Sequence, residues 1–178
     1  MCVEKTPWEK AVEFHGHACP GLALGFRAAQ LALQELGVDR DIDEELVAIV
    51  ENDSCSIDAI QSLTGCTVGK GNMIMRNNGK QVFTIGKRSG GQAVRVALKF
   101  GVMQGKGDRE ERIKKLLHGP AEELFDIRKV DLELPGKAII FNTVQCSRCG
   151  EGVMEPKARL RDGKPVCPDC FSEYTRGF

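Results

Sequence analysis

The sequence predicts an α+β fold: a mixed or antiparallel sheet core with packed helices, followed by a small C-terminal zinc finger. Two observations carry this. Strand-like and helix-like patterns interleave through the first three-quarters of the chain, with an Asn-Gly turn signal suited to an adjacent antiparallel pair. The eight cysteines are unevenly spread: Cys146, Cys149, Cys167 and Cys170 crowd into the last part, while Cys2, Cys19, Cys55 and Cys66 are scattered. With Pro135-Gly136 as a break, the division is a core of residues 1–135 and a tail of residues 136–178.

The elements follow in chain order. Thr6-Pro7-Trp8-Glu9 is a capping box with proline at the first helical position, so a short helix runs towards Phe14. Glycine and histidine break it. A second helix begins at Pro20 and runs to about Leu36, with Leu22, Phe26, Ala29, Leu33 and Leu36 at helical spacing and Gly37 as cap. Leu46–Val50 reads as a buried strand, and Asp53 or Ser54 is placed to cap a helix from Cys55 to about Leu63, ended by Gly65. Met73–Arg76 and Gln81–Ile85 flank Asn77-Asn78-Gly79-Lys80 as a hairpin. Gln92–Phe100 alternates, with Val94, Val96, Leu98 and Phe100 on one face. Asp108 and Glu111 start a charged helix to His118, stopped by Gly119-Pro120; a short helix from Ala121 to Phe125 and a strand from Val130 to Leu134 close the core. Ala138–Phe141 reads as a strand leading into the tail.

A formal net charge of zero advertises neither a nucleic-acid nor a membrane partner. The N-terminus has no basic patch followed by an apolar run, and no stretch approaches the roughly 20 apolar residues that span a bilayer. A cytoplasmic protein is the default expectation, and cysteines in that compartment read as metal ligands or reactive thiols rather than disulfides.

Chemistry concentrates in His15-Gly16-His17-Ala18-Cys19-Pro20-Gly21, which joins the first two helices and holds two of the three histidines. Cys19 stands at a helix N-terminus, where unpaired amides and the macrodipole favour thiolate. Imidazole and thiolate together are ligands for zinc or another transition metal, or the parts of an activated nucleophile. Cys55 repeats the placement at the next helix, and Asp58, one turn later, shares its face as orienting group or base. Each has a plainer reading: histidines bonding helix ends, a small buried cysteine, a solvated carboxylate. In Gly65-Cys66-Thr67-Val68-Gly69-Lys70-Gly71-Asn72 the spacing departs from the Walker phosphate loop, so Lys70 remains a candidate anion contact on a loop rather than part of a nucleotide site.

In the tail, Cys146-x2-Cys149 and Cys167-x2-Cys170 are separated by seventeen residues, within the spacing of a four-cysteine zinc site. Arg161-Asp162-Gly163-Lys164 supplies a hairpin turn between them, and a helix is expected from Cys167 to Tyr174. Knuckle, hairpin and helix make a treble clef; a ribbon with two hairpin knuckles is the close alternative. So small a unit needs a metal to fold, and such sites contribute roughly 10 to 16 kcal/mol in peptides.

His15–Arg27, Asp53–Gln61 and Thr64–Asn72, with Cys146–Phe171, resemble the FmdE family, named for formylmethanofuran dehydrogenase. The resemblance covers nearly the whole chain. It implies an α+β core usually paired as a homodimer, an auxiliary treble-clef finger, and association with molybdenum or tungsten formylmethanofuran dehydrogenase-type metabolism. His15, His17, Cys19, Cys55 and Lys70 fall in the family's motif segments.

Two functions are therefore expected to compete. In the first, His17, Cys19 and Cys55 hold zinc or another transition metal in a core cleft, with His15 as fourth ligand or orienting group; an enzyme would use Cys19, Cys55 and Asp58 in catalysis and Lys70 against an anionic group. In the second, the chain is a non-catalytic module that senses or delivers a metal or oxyanion while its finger docks on a protein partner. Nucleic acid ranks last as a partner, because Lys157, Arg159, Arg161 and Lys164 are diluted by acids.

Overall fold

A computed structural model of the protein describes residues 4–104 and 107–172, so Cys2 and the segment from 173 onward lie outside the described residues. The chain forms two compact units, residues 1–138 and 139–178. The division falls beyond Pro135-Gly136 because Lys137 pairs with Glu45 at 2.9 Å and the Ala138 N–H donates to Glu44 at 2.9 Å, which ties residues 136–138 to the first unit.

The first unit opens with α1, Pro7–His15, held by the expected capping box between Thr6 and Glu9 and closed by Gly16 at φ 91°. α2, Pro20–Leu36, ends at Gly37 in the left-handed conformation. β1, Leu46–Val50, leads to α3, Ser56–Thr64; β2, Met73–Met75, β3, Val82–Lys87, and β4, Gln92–Leu98, follow. α4, Arg109–His118, has a second capping box from Asp108 and Glu111; α5, Ala121–Leu124, runs directly into β5, Phe125–Asp131.

The sheet has the order β2-β1-β3-β4-β5. β1 and β2 are parallel, the other pairs antiparallel, so the sheet is mixed. The expected hairpin between residues 73–76 and 81–85 is not formed: β1 lies between those strands. Residues 76–81 instead cross the end of β1, where Asn78 and Lys80 N–H groups donate to the Glu51 carbonyl. The turn chemistry at Gly79 was legible; the choice of neighbour was set by burial, because β1 is apolar throughout and takes a partner on each edge.

Register builds the core. Ala48, Ile85 and Val94 stand in one row across the sheet and Val50, Phe83 and Val96 in the next, all at most 1% exposed and facing α2. On the opposite face Leu134 passes over Gly86, where an added Cβ would meet the leucine at 2.7 Å. That crossing explains why β5 is Phe125–Asp131 rather than Val130–Leu134: Phe125 pairs with Leu98, and the residues after Asp131 leave the sheet edge. β4 likewise stops at Leu98, leaving Phe100 exposed. Ala138–Phe141 forms no strand, and Ile139 and Ile140 are exposed.

In the second unit β6, Thr143–Gln145, and β7, Gly152–Met154, form a hairpin around the first cysteine pair. β8, Arg159–Arg161, and β9, Lys164–Val166, form another, turned by Asp162 and Gly163 at φ 51° and 73° as an Asp-Gly turn requires. The second pair brackets the 3-10 turn Pro168–Cys170, with Cys167 as its N-cap; Phe171 is extended, and the expected final helix beyond 172 falls outside the described residues.

Candidate metal centres

Both cysteine-bearing regions gather ligand atoms. In the tail the four sulfurs of Cys146, Cys149, Cys167 and Cys170 all lie within 4.8 Å of one another, and Cys149 and Cys167 are 3.9 Å apart. A tetrahedron with metal–sulfur bonds of about 2.3 Å has edges of about 3.8 Å, so the donor set fits zinc. The Cys167 N–H points at the Cys146 sulfur at 3.3 Å. Backbone N–H groups of Cys149 and Cys167 hold the Cys146 thiol down at about 6, a ready thiolate, while Cys170 is raised, chiefly by hydrogen bonding to Cys167. Val153 and Val166 are the valines buried with them, a core far too small to fold without the ion.

In the first unit the cluster forms where three helices meet. Cys19 is the N-cap of α2, 8% exposed, and its sulfur accepts the Leu22 N–H at 3.3 Å. His15, in the last turn of α1, brings Nε2 to 3.7 Å from that sulfur, and its Nδ1 meets the Asp58 carboxylate at 2.7 Å. The His15 and His17 rings lie 4.6 Å apart by centroid, and ligand atoms of His15, His17 and Cys19 all fall within 4.8 Å of one another. These are the two clusters of three or more such ligands among the described residues.

Cys55 sits beside this cluster but not within it. A Cβ built on Gly21 would lie 3.8 Å from the Cys55 sulfur and 3.9 Å from the Cys19 sulfur, so both thiols border one point. Burial raises the Cys55 thiol, and the neighbouring Cys19 raises it further. Neither Asp53 nor Ser54 caps α3: the Asp53 carboxylate accepts from Asn77, Ser54 bonds Asn52 and Ser56, and Cys55 itself occupies the N-cap without a capping bond.

The convergence depends on Gly25. A Cβ there would stand 2.2 Å from the Ser56 carbonyl oxygen, so α2 and α3 cross backbone to backbone one residue from Cys55. Arg109 of α4 adds a contact that no local sequence signal reveals, donating to the Ala18 carbonyl between His17 and Cys19 from 91 residues away.

Lys70 does not join the cluster. Its amine donates to the carbonyls of Ile42 and Asp43, before the start of β1, whereas Cys55 follows the other end of that strand. Two backbone acceptors hold the amine there, apart from His15, His17 and Cys19. Cys66 is fully buried, and loss of solvent pushes its thiol up to about 11, which suits packing rather than reactivity.

Fold and clusters thus define a class: a mixed-sheet α+β domain with a His/Cys cluster at the start of its longest helix, joined to a four-cysteine zinc finger. Residues 14–132 match the family model described as "FmdE, Molybdenum formylmethanofuran dehydrogenase operon", and residues 139–176 match the prokaryotic dksA/traR C4-type zinc finger. The chain belongs to the FmdE family. It is similar to a crystal structure of a tungsten formylmethanofuran dehydrogenase FmdE-like protein from Syntrophus aciditrophicus, with TM-score 0.69 and 27% identity over 91% of this chain and 88% of that one. It is 33% identical over 196 residues to a probable S-adenosyl-L-methionine-binding protein of Archaeoglobus fulgidus, covering 93% of this chain and 52% of that protein, so it spans about half the length of that relative. It is a metal-binding FmdE-like protein whose tail carries structural zinc. Among the described residues no helix is long and apolar enough to cross a membrane.

Proposed function

We propose that the core cluster is a second metal centre, in which His15, His17 and Cys19 hold zinc or another transition metal and leave a coordination position open. The observation that carries this is the 3.7 Å approach of His15 Nε2 to the Cys19 sulfur, with Asp58 on the other ring nitrogen. An imidazole nitrogen and a thiolate on one tetrahedral ion stand about 3.5 Å apart, given bonds near 2.0 and 2.3 Å. A carboxylate on the remote nitrogen is the usual way a ligating histidine is oriented. Three protein ligands with an open position are the pattern of catalytic rather than structural zinc. Bound there, a metal would supply Lewis acidity, and Cys55, whose sulfur borders the same point as that of Cys19, would serve as further ligand or proton donor.

The experiment is metal analysis of the purified full chain. Two equivalents are expected, falling to one in a His17→Ala, Cys19→Ala protein whose tail zinc is intact. Unchanged metal content in that variant removes the proposal. Turnover that needs Cys55 would mark an enzyme, and stoichiometric metal exchange without turnover a delivery or sensing module.

Around this centre, a homodimer and a role in molybdenum or tungsten formylmethanofuran dehydrogenase-type metabolism are supported by the family. Docking of the finger on a protein partner is supported by its separation as a compact unit, and a treble clef by the order of knuckle, hairpin and second cysteine pair. A cytoplasmic location is supported by the described cysteines being free thiols, the state a reducing compartment maintains.

A further inference from the structure

A concavity of the first unit lies apart from the His/Cys cluster. It is an open groove of about 1010 Å³ between α1, α2 and the C-terminal end of α3, at the upper end of small-molecule sites. None of His15, His17, Cys19, Cys55 or Asp58 lines it. Phe14, Leu33, Val38 and Leu63 give it apolar wall, and Phe14 is 58% exposed, far more than a core aromatic should be.

Its polar groups are unequal. Lys10 is engaged by Glu4, Glu13 by Lys5, and Arg40 donates Nε to the Ser62 carbonyl. Arg27 is different: its one side-chain hydrogen bond among the described residues is to the neutral Gln30 oxygen at 3.5 Å, and its Nε is buried with no acceptor. A buried guanidinium donor without a partner carries a desolvation cost that native structures rarely leave uncompensated. Asp39 also lines the groove and makes no ion pair among the described residues.

We infer that the groove binds a small organic anion whose oxyanion end meets the Arg27 guanidinium and whose flat apolar body lies against Phe14, Leu33 and Leu63. Guanidinium is the side chain whose planar donor fork matches two oxygens of one carboxylate or phosphate. The cavity volume leaves room for a fused-ring body besides that end group. The inference is independent of the core metal centre, because no residue is shared between the two.

The test uses the full chain and two fluorescent probes with the same rings: 1-anilinonaphthalene-8-sulfonate, which carries an oxyanion, and neutral N-phenyl-1-naphthylamine, which lacks it. Wild-type protein is expected to bind the sulfonate saturably, one per chain, and at least tenfold more tightly than the neutral probe. Arg27→Gln should abolish that preference while leaving thermal stability and binding of the neutral probe unchanged. Phe14→Ala, at the exposed rim, should weaken both probes alike. Equal affinity for the two probes in wild type, or an undiminished preference in Arg27→Gln, overturns the inference. So does sulfonate binding that disappears as protein concentration rises and the chain self-associates, since the groove would then receive a second copy. Should Arg27→Gln fail to fold, Arg27→Lys decides: it keeps the charge but loses the fork and must lower the preference.

Discussion

Gly25→Ala offers a direct test of how the core cluster is assembled. The new methyl would sit 2.2 Å from the Ser56 carbonyl oxygen, 2.6 Å from its Cα and 2.8 Å from its carbonyl carbon. Ordinary contact needs about 3.5 Å, so the two helices must part by about 1 Å. No rotamer change can relieve this, since the obstacle is backbone. Alanine gains about 1 kcal/mol over glycine as a helix former, whereas overpacking a close-packed contact costs about 1 to 3 kcal/mol, at the upper end when backbone must move. The net expectation is a loss of about 1 to 2 kcal/mol, or roughly 3 to 8 °C in Tm by thermal unfolding followed by circular dichroism. The displacement also carries Cys55 away from Cys19, so metal in the core should fall while tail zinc is retained. Gly69→Ala, where an added Cβ meets nothing within 4 Å, is the matched control and should leave Tm unchanged. A Gly25→Ala protein as stable as wild type or more so would refute the claim that backbone contact at this crossing positions the cluster.

Asp58→Asn keeps the shape beside His15 but removes the carboxylate, and is expected to lower core metal affinity about 10- to 100-fold in a chelator competition with no change in the tail. Cys66 supplies a pH prediction: its folded thiol titrates near 11, above an unfolded value near 8.5, so its contribution is whole below about pH 8.5 and lost as pH rises towards 11. That contribution is at most about 3 kcal/mol, and urea unfolding at pH 8 and pH 11 should show a smaller decline in Cys66→Ala than in wild type. Gly21→Ala puts a methyl 3.2 Å from the Cys55 Cβ and between the two sulfurs; it should reduce core metal more than it reduces Tm, as metal analysis beside a melt would record. Removal of zinc by a strong chelator should expose residues 139–178 to proteolysis while residues 1–138 stay resistant, and equal protection of both would contradict the metal's structural role in the tail.

What the sequence by itself determined is what chemistry local to a few residues decides. Capping boxes at Thr6 and Asp108, proline at position 20 and glycines at 37 and 65 set helix ends, because the groups that satisfy a helix terminus lie within four residues of it. Cys146, Cys149, Cys167 and Cys170 announced a zinc site by spacing alone, since each pair is a chelate made by one turn. Only the tertiary structure decided which strand neighbours which, and so broke the hairpin that Asn-Gly implied: β1 needed cover on both edges, which no window around Gly79 records. It also decided that Asp58 hydrogen-bonds His15 across 43 residues, that Lys70 is held by the loop before β1, and that Arg27 is left with a buried donor. The approach of α2 to α3 beside the cluster is likewise tertiary: it is closest at Gly25, where a missing side chain matters only because Ser56 has arrived against it.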